Sequence, residues 1–221
     1  MVNGTPHRCT ISPPPHRFDA AAPQVLSGLG PGGPVIYASD LAGPGAKERL
    51  VRRLLVSLPG QKTGSASQPV RGPVRLEKTV LGQPLLLLGR QPGPAVSFSQ
   101  AAGCLWAALT PVGQVGVDAT LSSEFEEGYP WGRAFRPAEF DWARRLIGGD
   151  TAGAAALLWA LKEAAVKTLG VGFNLLDPLA VEAFSPRPWQ GGVRVSVRAG
   201  RILPAWARPE RNGWLAIARN Y

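Results

Sequence analysis

Cysteine is scarce in this chain: there are only two, Cys9 and Cys104. They lie far apart and without metal-ligand spacing, which argues against a disulfide framework or a zinc site. Acid is also in short supply. Fifteen Asp and Glu face 24 Lys and Arg, for a net charge of +9. A surface of that sign recruits an anion: nucleic acid, a phosphorylated small molecule, an anionic membrane or an acidic protein. Long apolar runs are missing. "LLLL" at 85–88 and the stretch 152–161 are too short to span a bilayer, so no membrane is expected. The opening "MVNGTPHRCTISPPPH" lacks an apolar leader, and a reducing cytoplasm is the expected compartment. There is no Lys/Arg block and no RNA-binding aromatic signature. A basic nucleic-acid-binding domain stays open as an alternative, with arginines on phosphates and some of the seven Trp stacked on bases. Trp142 and Trp159 sit in helical apolar patterns, which assigns them to the core instead.

What remains is globular in composition. The 221 residues are 45% hydrophobic and 18% charged, enough for one large domain or two small ones sharing an interface. Glycine and proline cluster, most densely in residues 1–34, which read as irregular chain. "VIYAS" (35–39) reads as a strand and "AKERLVRRLLVSL" (46–58) as an amphipathic helix. A loop over 59–69 follows, then "VRLEKTV", "PLLLLG" and "AVSFSQ" as short strands. "AAGCLWAALT" reads as one strand with a bulge near Gly103, and "VGQVGVDAT" as an apolar strand ending in acid. "SSEFEEGYPWG" is a loop, 136–147 a helix, and a second helix capped by Asp150 or Thr151 runs to about Gly170. Period-two alternation marks a strand through 193–197, and an Asn212-Gly213 turn precedes a final strand. The order suggests an α+β protein with an N-terminal half over 1–112 and a C-terminal half over 113–221.

The helix "LLWALKEAAVK" raises a question: why does an alanine-rich, burial-prone segment carry Lys162, Glu163 and Lys167? Trp159, Glu163 and Lys167 are four apart and share one face. The plain reading is a surface Glu-to-Lys pair of about 0.2–0.5 kcal/mol, with Lys162 exposed beside it. The functional reading needs a second acid, and Asp118 at the end of "VGVD" supplies one. An Asp there also serves simply to begin a turn.

Together the two segments resemble the 4'-phosphopantetheinyl transferase superfamily, in its single-chain, surfactin-synthetase-activating type. "GVD" is followed by "WALKEAAVK", which matches the family pattern at Trp159, Lys162, Glu163, Ala164 and Lys167. "GRAFRPAEFDWARRL" looks like the segment preceding that helix. "LGQPLLLLG" is similar to the family's Gly-basic-Pro turn, with Gln83 in the middle, and "VSFSQAAG" to its Ser-His-Ser stretch.

The resemblance implies an α+β fold of two similar subdomains, each with a small sheet packed on helices, related by a pseudo-twofold. It implies transfer of 4'-phosphopantetheine from coenzyme A to a serine of an acyl or peptidyl carrier protein, releasing 3',5'-ADP. Mg2+ or Mn2+ would be held by Asp118 and Glu163. Lys167 would contact phosphate, with Lys162 as a second contact. Glu163, directly or through a bound water, would take the serine proton. Ser99, Gln100 and Arg53 would belong to the coenzyme A site. The implied partner is an acidic carrier protein met by a monomer. Three positions depart from the family pattern. Thr120 replaces a second acid, Gln100 replaces a His, and the basic N-terminal helix is reduced to Lys47, Arg49, Arg52 and Arg53. Glu124, Glu126 and Glu127 read as solvated loop charge. The departures keep open a catalytically impaired homologue that binds coenzyme A or a carrier protein without transfer.

Overall fold

The computed structural model describes residues 21–30, 33–58, 73–126 and 129–221. Cys9, Glu127 and the loop expected over 59–69 lie outside the described residues. The first elements are strand β1 (Gln24–Leu26), β2 (Val35–Leu41) and helix α1 (Ala46–Val56). They are followed by β3 (Val74–Lys78), β4 (Pro84–Leu88), β5 (Gln91–Pro92), β6 (Ala95–Ala101) and β7 (Cys104–Thr110). Then come β8 (Gln114–Leu121), α2 (Trp131–Ala134), α3 (Pro137–Leu146) and α4 (Thr151–Thr168). The chain closes with β9 (Glu182–Trp189), β10 (Gly192–Ala199), β11 (Arg201–Glu210) and β12 (Gly213–Asn220). Three antiparallel sheets result, ordered β1-β2-β7-β6, β3-β4-β5 and β8-β12-β11-β10-β9. The architecture is mixed α+β.

Three clusters of buried side chains hold the layers. α1 buries Leu50, Val51, Leu54 and Leu55 on the four-stranded sheet, together with Leu86 of β4. α4 lies across the five-stranded sheet with its alanines and leucines against Val193, Val195, Val197, Ala205 and Ala216. A third cluster joins the two sheets, with Val35, Tyr37 and Trp106 meeting Val117, Trp206, Leu215 and Ile217. The four-stranded and five-stranded sheets are therefore each covered by a helix on one face and by each other on the opposite face. Arg219 of β12 ties the seam by donating to the carbonyls of Gly33 and Val112.

Several local readings change. The stretch 1–34 is not irregular throughout. Gln24–Leu26 pairs with β2, and Leu26 and Leu29 are buried in the inter-sheet core. "AAGCLWAALT" is a hairpin corner: β6 stops at Ala101, and Ala102 and Gly103 turn with φ of 48° and 72°. Two successive left-handed residues make the tight turn whose twist matches paired strands. The last hairpin turns one residue earlier than expected. Arg211 and Asn212 form the loop, and Gly213 pairs with Glu210 and Leu121. A side chain at 213 would overlap the Thr120 carbonyl, so this glycine permits a close strand approach instead of making the turn.

β9, the outer strand of its sheet, escaped the sequence reading because prolines 186 and 188 break its pattern. Proline is tolerated at an edge, where its missing N–H needs no partner. α3 seals part of that edge. Ala183 donates its N–H to Glu139 at 2.9 Å and accepts from the Trp142 indole at 3.1 Å.

Candidate functional site

The side chains of α4 decide where chemistry can occur. From Gly153 to Thr168 every residue is buried except Trp159, Glu163 and Lys167. These are the four-spaced positions, so the polar stripe is the helix face left partly open. The rest of α4 is small or apolar, and Asp150 caps its start by accepting from the Gly153 N–H at 3.1 Å.

β8 runs beneath this face. Gly116 touches α4 so closely that a Cβ there would overlap the Ala164 carbonyl and press on the Lys167 side chain. Two residues on, Asp118 is 6% exposed and faces the same helix. Lys167 Nζ donates to Asp118 Oδ1 at 2.7 Å and to the Val117 carbonyl at 3.2 Å. The Ser99 hydroxyl donates to Oδ1 at 2.9 Å, and the Thr120 hydroxyl to Oδ2 at 2.6 Å. Both carboxylate oxygens are thereby oriented.

Ser99 belongs to β6, in the other sheet. Its oxygen also accepts from the Ala119 N–H, while Ser97 accepts from the Val117 N–H, each at 3.1 Å. Alternate serines of β6 thus satisfy the free edge of β8, which would otherwise bury unpaired donors. The intervening Phe98 packs toward the α1 core. The "SFS" stretch is a latch between sheets that also fixes Asp118.

Glu163 has no hydrogen-bond or ion-pair partner among the described residues. Burial, and next the negative charge of Asp118, push its carboxyl above the ordinary value of 4.5, with Lys167 opposing. Glu163 therefore lies within electrostatic reach of Asp118 on the half-open face of α4. The surface Glu163–Lys167 bridge considered from spacing does not form, because Lys167 turns to Asp118.

Lys162 lies elsewhere. It is fully buried. Its ammonium donates to Glu139, to the Ala134 carbonyl at 2.7 Å and to the Pro178 carbonyl at 3.1 Å, and it stands 5.4 Å from the centre of the Phe135 ring. An ammonium has three N–H donors, and all three are engaged. Lys162 is therefore neither the exposed residue of the plain reading nor placed to meet a phosphate. The signal was present: Leu158, Ala165 and Val166, its helical neighbours at three and four residues, are all apolar.

Gln100 lines a cleft of roughly 150 Å³ at the start of α1, with Gly43, Gly45, Lys47 and Leu105. Lys47 Nζ stands 5.3 Å from the Phe98 ring centre. Arg53 does not line it; its guanidinium donates to the Ala21 and Ser39 carbonyls at 2.7 and 3.4 Å. The basic residue at the cleft is thus Lys47. Gln83, from the "GQP" turn, rests against Gly170 at the end of α4 and donates to Gln114 at 3.2 Å. Glu124 caps its own turn by accepting from the Leu121 N–H at 3.0 Å.

No group of three or more His, Cys, Asp or Glu side chains suited to a metal ion occurs among the described residues. The donor set at α4 and β8 is two carboxylates and the Thr120 hydroxyl. Mg2+ commonly takes one or two protein carboxylates and completes its octahedron with water and substrate phosphates, so this set fits that ion. No helix among the described residues is long and apolar enough to cross a membrane.

Residues 114–208 match the family model of the 4'-phosphopantetheinyl transferase superfamily. That span begins with β8, contains all of α4 and ends in β11, so it includes Asp118, Thr120, Glu163 and Lys167. The match supports the superfamily for that segment, which is less than half of the chain. No curated protein matches the chain.

Proposed function

We propose that this chain transfers 4'-phosphopantetheine from coenzyme A to a serine of an acyl or peptidyl carrier protein. The observation that carries the reading is the ion pair of Lys167, on the open stripe of α4, with Asp118 of β8, and Glu163 one turn before Lys167 on that stripe, inside the segment matched to the superfamily. In the reaction the serine oxygen attacks the β-phosphorus of coenzyme A. The bond from that phosphorus to the bridging oxygen breaks, 3',5'-ADP leaves with the electron pair, and the serine proton passes to a base.

Asp118 and Glu163 would hold Mg2+ or Mn2+, which when bound supplies neutralisation of pyrophosphate charge. Lys167 is long and 29% exposed at its side chain, so it can leave Asp118 for a phosphate oxygen. Its charge opposes that of the leaving group. Glu163, raised in pKa and free of partners, is suited to accept the serine proton. Ser99 and Thr120 position Asp118. We place the adenosine end of coenzyme A toward Gln100 and Lys47. The chain would be of the single-chain type, with its two sheet-and-helix halves related by a pseudo-twofold and the nucleotide between them. The positive charge favours encounter with an acidic carrier protein and would weaken in salt.

A second reading is favoured by one observation: Lys167 already neutralises Asp118, and Thr120 stands where a further acid would. In that reading coenzyme A binds and nothing is transferred. Mass spectrometry separates the two. An apo-acyl carrier protein incubated with coenzyme A, Mg2+ and this protein should gain one phosphopantetheine arm on its serine. An unchanged carrier mass, with coenzyme A binding intact by titration, would establish the second reading.

A further inference from the structure

The turn joining β3 to β4 carries unusual side chains on an ordinary backbone. Its tip is Val80-Leu81, two positions without positive φ that most residues can fill, while Gly82 takes the left-handed position at φ 82°. Val80 is fully exposed and Leu81 is 62% exposed, with Leu85 38% exposed just behind them. The tip is nonetheless firmly closed. Thr79 and Gly82 donate their N–H groups to the Gln83 and Thr79 carbonyls, both at 2.9 Å, and the Thr79 hydroxyl accepts from the Gln83 N–H at 3.1 Å. Two large apolar side chains are therefore held outward on a preorganised corner, with no apolar cover among the described residues.

The corner is tied to the candidate site. Gln83 rests on Gly170 and bonds Gln114, which places it at the end of α4 one turn beyond Lys167 and at the start of the strand carrying Asp118. Exposed Lys78 flanks the tip and makes no ion pair among the described residues. The feature is convex. A nucleotide base is bound in a concave, walled pocket, whereas a projecting apolar pair with a cation beside it fits a groove on a folded partner whose rim is acidic. Apolar side chains seated in a partner's groove contribute in proportion to the area they remove from water.

We propose that Val80 and Leu81 form a docking prong that seats the carrier protein, with Lys78 facing its acidic rim, so that the partner's serine is presented to the α4 stripe. This rests on the transferase reading above. The test uses the full chain, its V80S/L81S variant and an apo-acyl carrier protein as probe, with steady-state transfer measured against each substrate. The variant should keep the thermal midpoint of the parent. It should raise KM for the carrier by about tenfold or more and leave KM for coenzyme A within about twofold. An unchanged carrier KM overturns the proposal, as does a rise confined to coenzyme A, which would make the tip a nucleotide contact. If the parent transfers nothing, the transferase reading falls and direct titration of the carrier decides the docking claim. Carrier binding weakened by the substitutions upholds it; no binding by the parent overturns it.

Discussion

Glu163 is the residue on which the proposed chemistry turns. A half-buried carboxylate without a partner among the described residues, within reach of the Asp118 charge, holds its proton to higher pH than an ordinary glutamate. The native state then binds more protons than the unfolded chain as pH rises from 4.5 through the raised folded value. Stability falls across that window. Glu163→Gln removes the penalty, so urea melts at several pH values should show a flatter decline and no loss of midpoint near neutrality. The same substitution should abolish transfer. An E163Q protein that transfers at the parental rate would refute the assignment. Much of this was legible from residue spacing: the four-residue period of Trp159, Glu163 and Lys167 picks out the open face of α4. Spacing could not say that Lys167 turns to Asp118, because that partner lies on another strand, 49 residues away in sequence.

Among the elements, α4 must sit hard against β8 for the site to exist, and Gly116 allows it. Gly116→Ala would drive a methyl into the Ala164 carbonyl, and a backbone cannot yield as a side-chain tip does. Overpacking of this kind costs about 1–3 kcal/mol. Chemical denaturation should show that loss, and transfer should fall further than stability because Asp118 and Lys167 are pushed apart. The second anchor is Lys162, which joins α4 to Glu139 of α3 and to the carbonyls of Ala134 and Pro178. Lys162→Met leaves Glu139 buried without its cation and should cost about 3–5 kcal/mol in the denaturation midpoint. Adding Glu139→Leu should recover part of that loss. Recovery failing altogether would mean that backbone contacts, not the ion pair, dominate. Helices α1, α3 and α4 were legible to within about two residues because apolar periodicity and caps mark them, whereas the single turn α2 fell in a stretch read as loop. β9 was not, because an edge strand carrying prolines has little pattern to read.

At the scale of the molecule, a sheet built from residues 24–110 and another built from 114–220 share one apolar seam, and the candidate site lies along it. Ser99 comes from the first sheet; Asp118, Glu163 and Lys167 come with the second. The mixed α+β class was visible in the alternation of element types. The seam was not, since Ser97 and Ser99 bond backbone groups, and backbone N–H groups carry no sequence signature. The account stands on two carboxylates gripping one divalent ion beside the substrate pyrophosphate. Titrating Mn2+ into the protein saturated with coenzyme A, followed by electron paramagnetic resonance, tests it directly. The parent should bind one Mn2+, and D118N and E163Q should each weaken it by about tenfold or more, by analogy with losing one of few charged ligands. Equal Mn2+ affinity in all three proteins would contradict the account.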